Sequence, residues 1–493
     1  MVYVHIPFCR SFCTYCGFYS EIPDRVEDFV EALCRETVLR ADEIRSCKGT
    51  GTLYIGGGTP SILSLEQLGR IVRAVREALG NDGADVSATG NPSGDGEPSG
   101  DRNPAGDRNP AGDGNTFKEF TVEVNPDDIV RKGPEYVRGL ISLGVNRISM
   151  GVQSFDNRIL RRMNRRHNAS DAVRAYRILR ECGVENISID LIFGFPADFG
   201  NGSPAGGDCS KGHSADGICG NGSPAGGNCV TETNNPLDYW KDTLQKALEI
   251  GGDGRAPEHI SAYQLSIEEG SALEKMTADG RFTPLSDELC SAQYDLLCST
   301  LSAAGYNHYE ISNFALPGKE AVHNSAYWNH TPYVGLGPGA HSLIILKDGR
   351  ESMKKVVRRW NIDDVKAYIK AYCHCTGPLD GTTSGKSYGN TDGKAPAVSG
   401  EEILTAEQLR TEQIMLSLRT SRGIPCHILE TSPDSVAKVS RLVDCGSLVP
   451  VSETCNGTSS RGDLPGNPPA DVSRLRIPEN RFFVSDDIIA ELI

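Results

Sequence analysis

Long apolar runs are missing from this chain: no stretch approaches the roughly 18 residues that a membrane-spanning helix needs, so the reading is of a protein with no membrane span. An excess of positive charge is missing too. The 50 Lys and Arg residues face 65 Asp and Glu, a net charge of -15, which argues against a surface built for nucleic-acid phosphates or anionic lipid. Met1 runs directly into VYVHIPF, with neither a basic leader nor an Arg/Ser-rich presequence, and the expectation is a soluble, cytoplasmic protein. The 16 cysteines do not form a disulfide pattern. Most stand alone in apolar-periodic text, such as Cys34 in FVEALCRE and Cys298 in YDLLCSTL, where a thiol is a small core residue. Without a secretory signal, close-set cysteines point to metal ligands or catalytic thiols. At 493 residues the chain has material for two or three domains and a full-sized core, which excludes a small stapled scaffold.

What is present, from residue 2 to about 270, is an alternation of β-rich runs with amphipathic helical patterns. The strand candidates are VYVHI (2–6), TLYIGG (52–57), EFTVEVN (119–125), RISMGV (147–152), NISIDLIFG (186–194) and HISAYQLSI (259–267), with helical stretches near 25–45, 64–80, 134–143, 168–182 and 236–250. This is the pattern of βα units and predicts an α/β fold, a partial parallel (βα)6 TIM-like barrel over 1–270, with functional residues at the C-terminal ends of its strands. Residues 86–116, with GDRNPAGDRNPAGDGN, and 197–235, with NGSPAGGDC and its near copy NGSPAGGNC, break the rhythm; 376–400 and 455–470 are similar. Such text buries too little apolar surface to offset its ordering entropy and is read as flexible surface insertion. Cys209, His213, Cys219 and Cys229 match no compact zinc spacing and are read as parts of a duplicated linker. Residues 271–375 form a connecting region. Cys373, His374 and Cys375 within it lack a second pair in register and read as residues at a helix end. Residues 402–493 carry helices near LTAEQLRTEQIMLSLRT and 433–444, then strand-like LVPV and RLRI. That order predicts a mostly helical, winged-helix-like domain, for structure or partner docking rather than DNA.

The stretch with most chemistry is IPFCRSFCTYCGFYS, residues 6–20. Cys9, Cys13 and Cys16 make C-x3-C-x2-C directly after a strand. A tetrahedral zinc site wants a fourth ligand, but Gly17, Phe18 and Tyr19 come next. An iron–sulfur cube held by three thiolates leaves its fourth iron open to something other than protein. S-adenosylmethionine could chelate that iron through its amino and carboxylate groups, and an electron from the cluster would break its sulfonium bond. The Gly-rich turn GGGTPS (56–61) after the second strand would let backbone approach the cofactor's amino-acid end.

These features resemble the radical S-adenosylmethionine superfamily, and within it the oxygen-independent coproporphyrinogen III oxidase group. YVHIPFC, GGGTPS, VEVNP (122–126), NRISMGVQSF (146–155), MNRRHN (163–168), NISIDLIFGFP (186–196) and HISAYQLSIEEG (259–270) follow in that family's order. The oxidase pattern has a fourth cysteine two residues after the third, where this chain has Phe18, and an N-terminal extension where this chain has only Met1 and Val2 before Tyr3. Both departures resemble the HemW-type haem chaperone branch.

The resemblance implies a [4Fe-4S] cluster on Cys9, Cys13 and Cys16, and S-adenosylmethionine near Tyr3, Gly57 and Glu123. It further implies a second molecule of that cofactor at Tyr15, Gly58, Thr59, Gln153, Arg165 and Asp190, with a polar network closing the barrel mouth as the alternative for Gln153, Arg165 and Asp190. It also implies haem, haem-accepting proteins such as respiratory haem proteins, and an electron donor as partners. His5, in the first strand, reads as a hydrogen-bonding residue at the barrel mouth rather than a fourth ligand. HNSAYW (323–328) resembles a signature of the chaperone branch associated with haem. His323 is the expected axial ligand, with a hydrogen-bonded packing role as its alternative; His330 and His341 are weaker candidates.

Overall fold

The computed structural model describes residues 1–80, 117–196, 235–252, 254–347, 354–373, 395–451 and 474–493. The stretch 86–116, the repeats with Cys209, His213, Cys219 and Cys229, the residues His374 and Cys375, and 455–470 lie outside them.

Alternation within the strands builds the sheet. Strands β1 (Val2–Ile6), β2 (Thr52–Gly57), β3 (Glu119–Val124), β4 (Arg147–Gln153), β5 (Ile187–Phe193) and β6 (His259–Gln264) pair in parallel, in sequence order. Between them run α1 (Val26–Leu39), α2 (Ala41–Ser46), α3 (Leu65–Ala78), α4 (Pro126–Ser142), α5 (Asn157–Arg162), α6 (Ala169–Glu181) and α7 (Pro236–Leu248). Val2, Val4, Leu53, Ile55, Val122, Ile148, Met150, Ile187 and Ile189 are buried in one core with Leu33, Leu68, Val137 and Tyr176 of the helices. Each such side chain contributes roughly 1.5–3 kcal/mol. The intervening positions are polar: Tyr3 and His5, Tyr54, Thr121 and Glu123, Arg147 and Ser149, Ser188 and Asp190, Ser261. A closed barrel fills its interior with branched aliphatics; this one lines its concave face with hydroxyls, carboxylates and a guanidinium.

The predicted strands stand where the sequence put them. Helix α4 starts eight residues earlier than its apolar period suggested, because Pro126 follows Asn125 as a helix-opening residue. A left-handed Gly133 (φ 71) then breaks it ahead of Pro134.

The sheet does not end at residue 270. Beyond α8 (Ala272–Ala278) and α9 (Asp287–Ala303), strands β7 (Asn307–Glu310) and β8 (Asn313–Ala315) add to β6. After α10 (Val322–Trp328), β9 (Val334–Leu336) adds to the free side of β1. The order is β7-β8-β6-β5-β4-β3-β2-β1-β9. An open parallel sheet has two raw edges, so residues expected only to connect domains cover both.

The chain continues through β10 (His341–Lys347), β11 (Lys354–Asn361), α11 (Val365–Cys373) and β12 (Val398–Ile403). Val398–Gly400, which the sequence grouped with an insertion, therefore pair with β11. This region is locked to α1 by one buried carboxylate. Glu36 pairs with Arg40 at 3.0 Å and accepts from Gly337 N (2.8 Å), Asn361 Nδ2 (2.7 Å) and Tyr368 Oη (2.5 Å).

The C-terminal part has α12 (Ala406–Ser417), β13 (Ile424–Pro425), α13 (Cys426–Leu429), α14 (Pro433–Asp444), β14 (Val449–Pro450), β15 (Arg474–Arg476) and α15 (Ser485–Ala490). Its small antiparallel sheet, ordered β13-β15-β14, has the winged-helix-like arrangement expected there. Among the described residues no helix is long and apolar enough to cross a membrane.

Candidate cluster and cofactor site

The cysteine loop leaves β1 at the C-terminal end of the sheet and is tied down through its backbone. Cys9 N donates to Glu21 O (2.9 Å), Thr14 N to Met163 O (3.2 Å), and Thr14 O accepts from Leu273 N (2.7 Å). The side-chain amide of Asn164 donates to Phe12 O (2.8 Å). The loop is thus held while all three cysteines stay half-buried and free. Cys9 Sγ lies 3.6 Å from Thr59 Oγ1, and Arg165 Nη1 donates to Cys13 Sγ at 3.5 Å. Burial pushes the Cys16 thiol up to about 11 and that of Cys9 upward as well. Desolvation outweighs the nearby Arg165 guanidinium at both thiols, and bound iron would favour their thiolate form. Among the described residues no three His, Cys, Asp or Glu side chains gather closely enough to hold one metal ion. Three thiolates on three irons of a cube do not need to converge on one point.

The Gly-rich turn after β2 serves this loop. Gly58 N donates to Ile6 O at 2.8 Å, and a Cβ on Gly58 would lie 2.6 Å from Phe8 O. Gly57 has φ 106, and a Cβ there would lie 2.5 Å from the ring of His5. The glycines expected to admit a ligand thus first admit the protein's own backbone and His5. That turn aims Gly57 N at Glu123 Oε2 (3.1 Å), while Tyr54 Oη donates to Glu123 Oε1 (2.6 Å). Desolvation pushes the Glu123 carboxyl up to about 7 in spite of both bonds.

Across the concave face, Asp190 accepts from Ser149 Oγ at 3.3 Å and is likewise pushed up by burial, with Ser261 as a further hydrogen-bond partner. Gln153 sits at the end of β4 on an irregularity in the pairing with β5, with φ 68. A left-handed non-glycine residue at a strand end stores backbone strain of the kind kept at ligand sites. Arg165 Nη2 donates to Asn125 Oδ1 (2.7 Å) and Gly151 O (2.8 Å), which fixes it over the cysteine loop. His5 bonds Tyr3 Oη (2.9 Å) and Tyr19 O (3.1 Å), the hydrogen-bonding role expected of it. Tyr15 packs on a separate apolar cluster with Ile159, Met163 and Leu273. The structure therefore brings Tyr3, Gly57, Gly58, Thr59, Glu123, Gln153, Arg165 and Asp190 to one end and one face of the sheet. Sequence reasoning missed Tyr54, Asn125 and Ser149. Tyr54 and Ser149 have the lining parity of their strands, and Asn125 directly follows β3, so strand alternation carried the signal.

His323 lies at the opposite end of the sheet from the cysteine loop. Thr52 and Glu119 are the first residues of β2 and β3, at the end of the sheet away from the cysteine loop, and α10 is fixed to them. Glu119 accepts from Val322 N and His323 N, both at 2.8 Å. His323 is 1% exposed; its Nδ1 bonds Thr52 Oγ1 (2.9 Å) and its Nε2 bonds Tyr327 Oη (3.2 Å). Its ring packs 5.0 Å from that of Tyr54, and burial pushes its pKa down to about 3. Both ring nitrogens are hydrogen-bonded in this structure, the packing arrangement that stood beside axial ligation as the alternative. His330 bonds Glu412 (2.6 Å), and His341 stacks on Trp360.

A half-barrel with three thiols on the loop after its first strand, a glycine turn braced on that loop and a buried carboxylate behind it is the arrangement of a radical S-adenosylmethionine domain. Residues 3–199 match the Radical SAM superfamily. Such a domain implies a [4Fe-4S] cluster and S-adenosylmethionine, which the thiol set fits. More particularly, the chain is similar to the proteins named heme chaperone HemW. It is 29% identical to that of Bacillus subtilis over 429 residues, covering 86% of this chain and 84% of the relative. It is 27% identical to that of Lactococcus lactis over 426 residues, with 86% and 82% covered. In fold it is similar to the coproporphyrinogen III oxidase HemN of Escherichia coli, with a TM-score of 0.60 and 17% identity, covering 100% of this chain and 89% of that one.

Proposed function

We propose that this chain is a haem chaperone: it binds haem and hands it to haem-accepting proteins, carrying a [4Fe-4S] cluster and S-adenosylmethionine. The observation that carries the reading is the likeness to HemW proteins along 86% of the chain. The cysteine loop supports it, because Phe18, 73% exposed, stands where the oxidase pattern has a fourth thiol.

Cys9, Cys13 and Cys16 hold the cluster; when bound, it supplies the electron that cleaves the sulfonium of S-adenosylmethionine. The chain's own residues set the surroundings. Arg165 places a fixed guanidinium beside Cys13, its Nη1 donating to Sγ. Glu123, held by Tyr54 and Gly57, offers oxygens to ribose hydroxyls, and Tyr3 on β1 packs against Tyr54. Tyr15, Gly58, Thr59, Gln153, Arg165 and Asp190 are assigned to a second cofactor molecule, with closing the mouth as the alternative for Gln153, Arg165 and Asp190. Residues 1–270 carry this chemistry and 402–493 dock a partner, with an electron donor for the cluster and respiratory haem proteins as acceptors in the cytoplasm.

The test is anaerobic reconstitution of the full chain, followed by incubation with haem and, separately, with coproporphyrinogen III. A stable haem complex that passes haem to an apo-haem protein is expected. Conversion of coproporphyrinogen III to protoporphyrinogen IX would refute the reading and favour the oxidase.

A further inference from the structure

The polar face of the sheet holds a cation that no ion pair accounts for. Arg147 opens β4, and its side chain is buried to 1% exposure. Its Nε has no hydrogen-bond partner, and among the described residues no carboxylate pairs with the guanidinium. The Oγ1 of Thr121, which stands opposite it in the β3–β4 register, lacks a partner too. Burying an unpaired charge is costly. A guanidinium that no carboxylate neutralises at contact keeps its field for groups farther off.

The strand register shows which groups those are. Glu123 stands two residues beyond Thr121 on β3, and Asp190 of β5 pairs with Gly151 of β4. Residues two apart on a strand share a face. Both carboxylates therefore lie on the polar face, on the strands either side of β4, nearer the cysteine loop than Arg147 is. The titratable groups within electrostatic reach of Glu123 from the other elements are Tyr3 of β1, Tyr54 of β2, Asp190 of β5, Tyr263 of β6 and Tyr327 of α10. Each of these is neutral or negative, and Arg147 is the cation beside them. Burial and mutual repulsion oppose ionisation of Glu123, and the Arg147 field opposes both effects.

Resting on the reading of Glu123 as the acceptor for ribose hydroxyls, we propose that Arg147 is a positioning residue for S-adenosylmethionine: its unpaired charge, one pleat below, keeps Glu123 the carboxylate that those hydroxyls need. Arg147 acts through Glu123 and not on the cofactor itself.

The test titrates Glu123 directly, by infrared difference spectroscopy of its protonated-carboxyl band in the full, cluster-reconstituted chain, with Glu123→Gln as the assignment control. The wild-type band is expected to disappear through about pH 7. Arg147→Gln and Arg147→Met strand no ion-pair partner and are expected to move that inflexion up by about 1 unit. Arg147→Lys, which restores a cation, is expected to bring it back toward the wild-type value. Calorimetric affinity for S-adenosylmethionine should follow: about fivefold weaker in the two neutral variants at pH 7, and close to wild type at pH 9, where Glu123 is ionised in all of them. An inflexion that stays in place in both neutral variants, or one that moves as far in Arg147→Lys, overturns the proposal while the cofactor reading stands on wild-type binding. Failure of the wild-type chain to bind S-adenosylmethionine overturns both.

Discussion

Replacing His323 by Ala separates the two roles open to the HNSAYW motif. The structure gives the magnitude. The substitution removes one partner of Thr52 Oγ1, leaving it Thr50 Oγ1 at 3.3 Å, the partner of Tyr327 Oη and the ring packed on Tyr54, around a side chain that is 1% exposed. Losing two hydrogen bonds and opening a cavity the size of an imidazole together cost about 3–5 kcal/mol. That is a large share of the roughly 5–15 kcal/mol that holds a typical domain. Chemical denaturation followed by circular dichroism should therefore show a clear loss of stability. Haem titration of the folded variant at low denaturant should give wild-type affinity and an unchanged Soret band. The milder Tyr327→Phe variant, which deletes only the hydroxyl at 3.2 Å, should lose about 1 kcal/mol and also keep haem. If His323→Ala keeps wild-type stability and loses the haem spectrum, the packing role is wrong and the imidazole is a ligand after all.

Four further outcomes follow from the site and the sheet. Cys16→Ser should lower iron and sulfide per chain after anaerobic reconstitution and abolish reductive cleavage of S-adenosylmethionine; a full complement of cluster would remove Cys16 from the ligand set. Glu123→Gln should weaken S-adenosylmethionine about tenfold by calorimetry. Wild-type affinity should rise with pH through about 7 as the carboxyl ionises and becomes the stronger acceptor, and the variant should lack that rise. Glu310 is 1% exposed, its Oε1 and the Oδ1 of Asn313 both lack partners, and burial pushes its carboxyl up from 4.5 to about 7. A raised carboxyl binds its proton more tightly in the folded state, so stability falls as pH rises from about 4.5 to 7, by about 3 kcal/mol in order of magnitude; Glu310→Gln should be the more stable protein at pH 8, and equal pH profiles would show that Glu310 does not titrate this way. Gly58→Ala should disturb the cysteine loop, since its Cβ would meet Phe8 O at 2.6 Å, and should lower cluster content even though no ligand is changed.

Much of the barrel was legible because a strand records its environment every second residue. Tyr3, Tyr54, Glu123, Ser149 and Asp190 alternate with aliphatic neighbours that must be buried, so the lining face could be read directly. The cysteine spacing was equally local, since three thiols within eight residues belong to one loop wherever that loop goes. Residues beyond 270 were harder. Asn307–Glu310, Asn313–Ala315 and Val334–Leu336 are short, and nothing in them states that they cap the two edges of a sheet begun at residue 2.

The sequence by itself determined the order of strands and helices, the polar lining and the thiol trio, because those depend on neighbours along the chain. Tertiary structure alone decided that His323 bonds Thr52 and Tyr327, that the glycines admit the cysteine loop, and that Arg165 and His167 keep buried nitrogens unpaired. Each of these depends on which distant groups meet across the sheet, as Thr52 meets His323, and local pattern does not encode who the partner will be.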